Sequence, residues 1–235
     1  MLEVRRAAER FTTRTSWLTS RHSFSFGRFY DPADVGFAAL VAHNDDTVAP
    51  GTGYDTHPHV DLEIVTWVVH GSLVHEDSEG RAGLVRPGLT QLMSAGRGIL
   101  HSERNAEPGT ATPTRFVQMW LRPDEIGLEP SYARHDVGED LRPDTLLPLV
   151  SGAGTVDAAV RIHTSGAALH VARLTRDGSV SLPDAPHLHL FVVGGAVDLE
   201  GAGRLEEGDA ARFTAEGARR LRGIEASETL VWQMR

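Results

Sequence analysis

Along this chain, short apolar or alternating runs are cut at regular intervals by Gly, Pro, Asp and Asn, and no sustained stripe of period 3.6 stands out. Alternation puts every second side chain on one face of a strand, so this texture predicts an all-β fold with few, short helices. Strands are expected at residues 37–42, 62–69, 72–75, 90–93, 116–121, 169–174, 188–193, 196–199 and 230–234. The stretch from Arg122 to Pro130 is rich in Pro, Gly and acid and reads as a connector between two halves, with a looser segment, 136–154, after it. The expected domains are therefore 1–130 and 131–235.

Two segments carry candidate chemistry: Thr56-His57-Pro58-His59 and, some way on, His101-Ser102-Glu103. Each puts two metal-ligand side chains at i and i+2, which in an extended strand project from the same face and can meet one ion. Three imidazoles and one carboxylate form a borderline to hard ligand set suited to a divalent first-row transition metal. With 12 His in 235 residues, chance alone supplies roughly 0.6 His-x-His pairs per chain. A second pair, His187 and His189, makes the same point, so context has to separate them. The first pair has Gly51 before it, Glu63 four residues after His59 and Gly71 beyond. The His101 segment follows Pro87-Gly88 and a glycine turn at Gly96 and Gly98, where a positive φ would deliver His101 to the metal. Pro58, with fixed φ and no N–H, suits an edge or irregular strand. The carboxylate is open between two residues. Glu103 pairs with His101, while strict alternation from His57 through His59 and Asp61 would bring Glu63 to the same face. His75 and Trp120 are placed to line the mouth of the barrel but read better as an ordinary strand histidine and a core indole; His22 and His43 read as structural or exposed, and Asn44-Asp45-Asp46 as a loop.

A weak internal repeat separates the halves chemically. Trp67-Val68-Val69-His70-Gly71-Ser72-Leu73-Val74 is echoed by Phe191-Val192-Val193-Gly194-Gly195-Ala196-Val197-Asp198. Aligning Gly71 with Gly195 sets His57 and His59 against Ser181 and Pro183, and His101 near Leu221 or Arg222, so the second half keeps the barrel and lacks the ligands.

Composition narrows the alternatives. The absence of cysteine excludes disulfides, iron–sulfur clusters and thiolate nucleophiles, and the absence of lysine excludes Schiff-base and P-loop chemistry. All 23 basic residues are arginine, and the formal charge of −9 opposes a nucleic-acid-binding face. The first residues lack the apolar core of a signal peptide and no apolar run reaches spanning length, so a cytoplasmic chain without membrane contact is expected.

The stretch from Asp31-Pro32 through Arg122 contains Asn44-Asp45-Asp46, Thr56-His57-Pro58-His59, Asp61-Leu62-Glu63-Ile64, His75-Glu76-Asp77-Ser78, Met93-Ser94-Ala95-Gly96 and His101-Ser102-Glu103. It resembles the pirin family, in particular its bacterial, quercetin 2,3-dioxygenase-like branch, and the second half resembles the pirin C-terminal cupin. The resemblance implies a bicupin of two tandem antiparallel β-barrels of jelly-roll type. It implies one metal site, in the N-terminal barrel, with His57, His59, His101 and Glu103 as ligands. The metal expected is Fe(II), with Mn, Ni, Cu or Zn as surrogates. The implied function is a dioxygenase opening flavonol-like substrates with dioxygen, Glu103 serving also as the base and Glu63 as a partner of a ligand imidazole. The alternative is a metal- or redox-dependent co-regulator acting through protein partners. A monomer is expected.

Overall fold

The computed structural model describes residues 1–105 and 112–235, and among them regular structure is almost entirely β, with a single 3-10 turn at Ala7–Glu9. The alternation places most strands within a residue or three of their ends: Glu63–His70, Leu73–Asp77, Leu89–Ser94, Thr114–Leu121, Ala168–Leu174, His187–Gly194, Ala196–Leu199 and Ser227–Met234. The run at 37–42 behaves differently. Its strand starts at Leu40 and continues to Val48, through the polar triplet expected to be a loop.

The chain forms two compact units. One contains Phe11–Gly138 with Ile162–Thr164; the other contains Met1–Arg10, Glu139–Arg161 and Ser165–Arg235. This partition differs from a cut at residue 130, and strand pairing is the reason. Ser131–Asp136 hydrogen-bonds to Leu89–Ser94 and so completes the sheet before the connector, while the first strand, Leu2–Arg5, pairs with Ala210–Thr214 in the second half.

Each unit contains a seven-stranded and a four-stranded sheet, antiparallel apart from one short parallel pair, Leu146–Ser151 with Val160–Arg161. This is the bicupin architecture. In the N-terminal unit the larger sheet runs Ser131–Asp136, Leu89–Ser94, Glu63–His70, Thr114–Leu121, Leu40–Val48, Leu18–His22, Phe11–Arg14; the smaller runs Gly53–His59, Ile99–Asn105, Leu73–Asp77, Ala82–Val85. The C-terminal unit repeats the plan, its smaller sheet running Ser179–Ser181, Arg220–Gly223, Ala196–Leu199, Gly203–Glu206.

The cores differ. In the C-terminal unit both sheets contribute to one apolar cluster that includes Leu188, Leu190, Val192, Val197, Leu221 and Val231. Each such side chain contributes about 1.5–3 kcal/mol on burial. In the N-terminal unit, among the described residues, one apolar cluster gathers around Val68, Leu73 and Phe116 and a separate one around Ile64, Met93 and Ile99. Between these lies a row of paired neighbours on adjacent strands, Gln91, Thr66, Gln118, Asn44 and His22, all buried and all polar.

The repeat inferred from Gly71 and Gly195 is visible in the ladders. Both glycines have positive φ, 76° and 75°, and just beside each the sheet register slips at the equivalent place, Arg115/Phe116 in one unit and Val192/Gly194 in the other. The strand holding the ligand positions is offset by one. Val180 and Leu182, rather than Ser181 and Pro183, are the core residues, and Val180 pairs with Leu221. A slip of one residue exchanges the faces of a strand. Neither face offers a ligand set in this unit.

Candidate metal centre

The strand Gly53–His59 sits at the edge of the smaller N-terminal sheet, where Pro58 leaves no ladder donor unused. Its neighbour Ile99–Asn105 pairs His101 with His57 and Glu103 with Tyr54, so three residues of one strand span two of the other. This bulge bends the edge strand and points both Tyr54 and His57 inward. Gly53 permits it, since a Cβ there would lie 2.2 Å from the Glu103 carbonyl oxygen. Gly96 and Gly98 have φ of 46° and 136°, and a Cβ on Gly96 would lie 2.1 Å from the Leu128 carbonyl oxygen. The turn leading into His101 therefore requires glycine.

Among the described residues two overlapping groups bring potential ligand atoms within 4.8 Å of one another: His57, His59 and His101, and His75, His101 and Glu103. Ring centroids are 4.4 Å apart for His57 and His101, 4.9 Å for His57 and His59, and 5.0 Å for His59 and His101. The hydrogen bonds around the rings set their tautomers. His57 Nδ1 lies 2.7 Å from the Asp55 carbonyl oxygen, which can only accept, so Nδ1 carries the proton and Nε2 keeps its lone pair. His75 Nε2 is 3.6 Å from Asp77 Oδ2, and His75 Nδ1 is 3.5 Å from His101 Nδ1. With Nδ1 of His101 engaged by His75 Nδ1, Nε2 is the nitrogen of His101 left over.

Burial, reinforced by the neighbouring imidazoles, pushes His101 down to about 2 and His59 down to about 4. Both rings are neutral at neutral pH and have a lone pair to offer. Their Nε2 atoms are buried with no hydrogen-bond partner. A buried acceptor left unsatisfied costs about 1–3 kcal/mol, and a cation would take both lone pairs. Donor type, tautomer and orphaned atoms all fit a divalent metal.

Glu103 is buried and held by two amides. Gln118 Nε2 donates to Oε2 at 2.7 Å and Gln91 Nε2 approaches Oε1 at 3.5 Å. Trp120 Nε1 and the Tyr132 hydroxyl donate to the other ends of these amides, at 2.9 and 2.8 Å, which fixes the NH₂ groups toward Glu103. Burial raises Glu103 to about 7 against the lowering effect of Gln118.

Glu63 goes elsewhere. Asp61 adopts φ of 50° and the strand breaks between His59 and Glu63, so the chain passes from the smaller sheet to the larger and the alternation is interrupted. The buried Glu63 carboxylate accepts from Ser94 Oγ at 2.5 Å and from the His163 backbone N–H at 3.1 Å, with His163 Nδ1 at 3.3 Å. Its imidazole partner is thus His163, not one of the three clustered rings.

A cavity of about 130 Å³ opens beside the cluster, lined by Phe26, Asp46, Tyr54, His57, Glu103 and Trp120 among others. Asp46 accepts from the Tyr54 hydroxyl at 2.8 Å. Alternation hid Asn44 and Asp46, because a polar triplet on a strand with Asp and Asn in it resembles a turn. The available signal was the run of apolar residues on both sides of the triplet. Trp120 lies 4.8 Å from the His59 ring, so it serves the site as well as the core, and His75 likewise adjoins His101.

The pirin family model matches residues 3–121 of this chain. A Mycobacterium tuberculosis protein named "Putative quercetin 2,3-dioxygenase Rv0181c" is 51% identical over 233 residues, covering 99% of this chain and 95% of the relative. The chain belongs to the pirin family. An Escherichia coli K12 protein named "Quercetin 2,3-dioxygenase" is 34% identical over 237 residues, covering 100% of this chain and 99% of the relative. Among solved structures, the Escherichia coli bacterial pirin YhhW in complex with nickel(II) is similar with a TM-score of 0.89 and 32% identity, over 100% of this chain and 99% of that one.

Proposed function

We propose that this pirin is a metal-dependent dioxygenase of chelating enols of the flavonol type, with His57, His59, His101 and Glu103 holding one divalent metal, iron(II) in the working enzyme. The observation that carries this reading is the pair of buried, orphaned Nε2 atoms of His59 and His101 beside a cavity that also contains a carboxylate. The names of the relatives and the nickel complex of YhhW are in keeping with it. In the Irving–Williams order nickel binds nitrogen and oxygen ligands more tightly than iron(II), so nickel is a natural surrogate at such a site.

The metal, when bound, supplies Lewis acidity toward a chelating enol and redox exchange with dioxygen. The protein's share is proton handling and exclusion of water. A chelating enol must lose its hydroxyl proton, and the buried Glu103 carboxylate, which lines the same cavity, is the acceptor within reach. Oε1 is the less committed oxygen of Glu103, since its amide contact is 3.5 Å against 2.7 Å at Oε2. The proton therefore goes to Oε1 while Gln118 keeps the carboxylate in place. Phe26 and Trp120 wall the cavity and shield the reacting enolate from solvent. For a flavonol, dioxygen is consumed, the carbon bearing the hydroxyl leaves as carbon monoxide, and the heterocycle opens to a depside.

The test is anaerobic loading with iron(II), followed by dioxygen uptake and carbon monoxide release across a panel of flavonols and smaller chelating enols. One carbon monoxide per dioxygen supports the reading. Uptake with none of them would abandon it in favour of a co-regulator acting through protein partners, and equal uptake by zinc-loaded protein would remove the redox role of the metal.

A further inference from the structure

The polar triplet on the strand Leu40–Val48 brings two of its residues, Asn44 and Asp46, to the cavity beside the candidate metal centre. Asp46 is buried in the larger sheet between Ser20 and Phe116. A carboxylate in such a place is costly unless hydrogen bonds satisfy it. Tyr54 supplies one, donating from its hydroxyl to Asp46 Oδ2 at 2.8 Å. The phenol ring is held from both sides, with Trp17 edge-on at 5.2 Å and the His57 ring tilted at 6.0 Å. With its one proton directed at Asp46, the Tyr54 oxygen has only lone pairs to offer a ligand. The side-chain N–H groups of the wall are mostly committed within the protein. Trp120 Nε1 donates to Gln118 Oε1 at 2.9 Å, Gln118 Nε2 to Glu103 at 2.7 Å, and His57 Nδ1 to the Asp55 carbonyl oxygen at 2.7 Å. Asn44 Oδ1 is paired with His22 Nδ1 at 2.9 Å, which leaves the Asn44 amide nitrogen as the side-chain donor that remains among the described lining residues. Against it stand three acceptors: Tyr54, Asp46 and Glu103.

We infer that Tyr54 and Asp46 are a specificity-determining pair that accepts a second hydroxyl of the substrate, so that a polyhydroxylated flavonol is preferred over one whose only hydroxyl chelates the metal. This rests on the oxygenase reading above and deepens it. Glu103 is the ladder partner of Tyr54, so the second hydroxyl is read beside the group that takes the enol proton. The cavity is open to solvent, and the remainder of a three-ring ligand extends outward from it. A site that accepts a hydroxyl discriminates against the analogue without one, because the acceptors then lose water and gain no partner. Solvent access keeps the effect well below that of a sealed pocket.

The experiment uses nickel(II)-loaded full-length protein titrated with quercetin and with 3-hydroxyflavone, whose only hydroxyl is the chelating one, followed by the change in ligand absorbance. Dioxygen uptake is measured on the iron(II)-loaded protein with both. Quercetin should bind roughly tenfold more tightly than 3-hydroxyflavone, the factor expected for one good hydrogen bond. Tyr54→Phe removes the phenol oxygen and Asp46→Asn puts an amide where a carboxylate stood; compared at equal nickel content, each should shrink that ratio toward one. No preference for quercetin in the unmodified protein, or a ratio that both substitutions leave as it was, would overturn the hydroxyl-accepting pair, while dioxygen uptake with either flavonol would leave the oxygenase reading standing. No absorbance change and no uptake with either flavonol would sink both. The comparison on the unmodified protein decides the matter even if a variant does not fold.

Discussion

The two units share one plan and have opposite interiors. In the larger N-terminal sheet the row through Gln91, Thr66, Gln118 and Asn44 is polar; the row at the same distance from the matching glycine in the C-terminal unit reads Ala211, Leu190, Val231 and His170. The ligand positions change in the same sense, from His57 and His101 to Val180 and Leu221. One interior is filled for cohesion. The other gives up part of its apolar contact to hold two amides aimed at Glu103. The barrel does not choose its chemistry; the inward side chains of a few strands do.

The largest expected effect comes from removing a ligand. His101→Ala should abolish tight metal binding while the native protein takes up one metal per chain, measured by metal titration and elemental analysis. A native stoichiometry near two would break the contrast between the units. Glu103→Gln should weaken the metal by roughly ten- to a hundredfold, whereas Glu63→Gln should leave metal affinity nearly unchanged and lower unfolding free energy by about 1–3 kcal/mol, through the loss of buried hydrogen bonds to Ser94 and His163. The reverse order in a metal titration would move the carboxylate ligand to Glu63.

Exchanging row residues is a finer test. Gln118→Val, which copies Val231, should cost about tenfold in metal affinity because Glu103 loses its closest donor. Val231→Gln should destabilise the C-terminal unit by about 1–3 kcal/mol in urea unfolding, since a buried amide there meets the apolar cluster around Leu190 with only His170 as a polar neighbour in the row. If the two substitutions were equally harmless, the rows would not carry the difference.

The smallest effect concerns pH. His170 is pushed down to about 4 by burial, against the raising effect of a backbone hydrogen bond with Val231. Between that value and the ordinary imidazole value the unfolded chain binds more protons, so this contribution to stability is present above about pH 6.5 and lost as pH falls toward 4. His170→Asn, which copies the Asn44 position, should flatten that part of the stability profile. An unchanged slope would mean that His170 is not a source of acid sensitivity.

Most of the fold is legible in the alternation, because apolar faces packed between two sheets impose period two on the sequence. The imidazoles are legible because their spacing matches that period and because Gly96 and Gly98 mark the turn before His101. What alternation cannot show is a strand whose inward residues are polar. Asn44 and Asp46 vanish from the pattern for that reason, as does the relation of Gln91 and Gln118 to Glu103. Edge pairings at long range, such as Leu2–Arg5 with Ala210–Thr214, leave no local mark either. The strand break after His59 was invisible because Asp61, at φ of 50°, takes a conformation more often supplied by glycine.

The edge position of the Gly53–His59 strand has a consequence for handling and storage of the protein. An open strand edge is a template for pairing with another molecule, and proline at position 58 acts as a gatekeeper by withholding one donor. With the proposed ligands on this strand and its inner neighbour, an ion at the cluster would stitch the edge down. Chelator-stripped protein at high concentration should then be the form most inclined to self-associate, and replacing Pro58 with a β-branched residue should aggravate it.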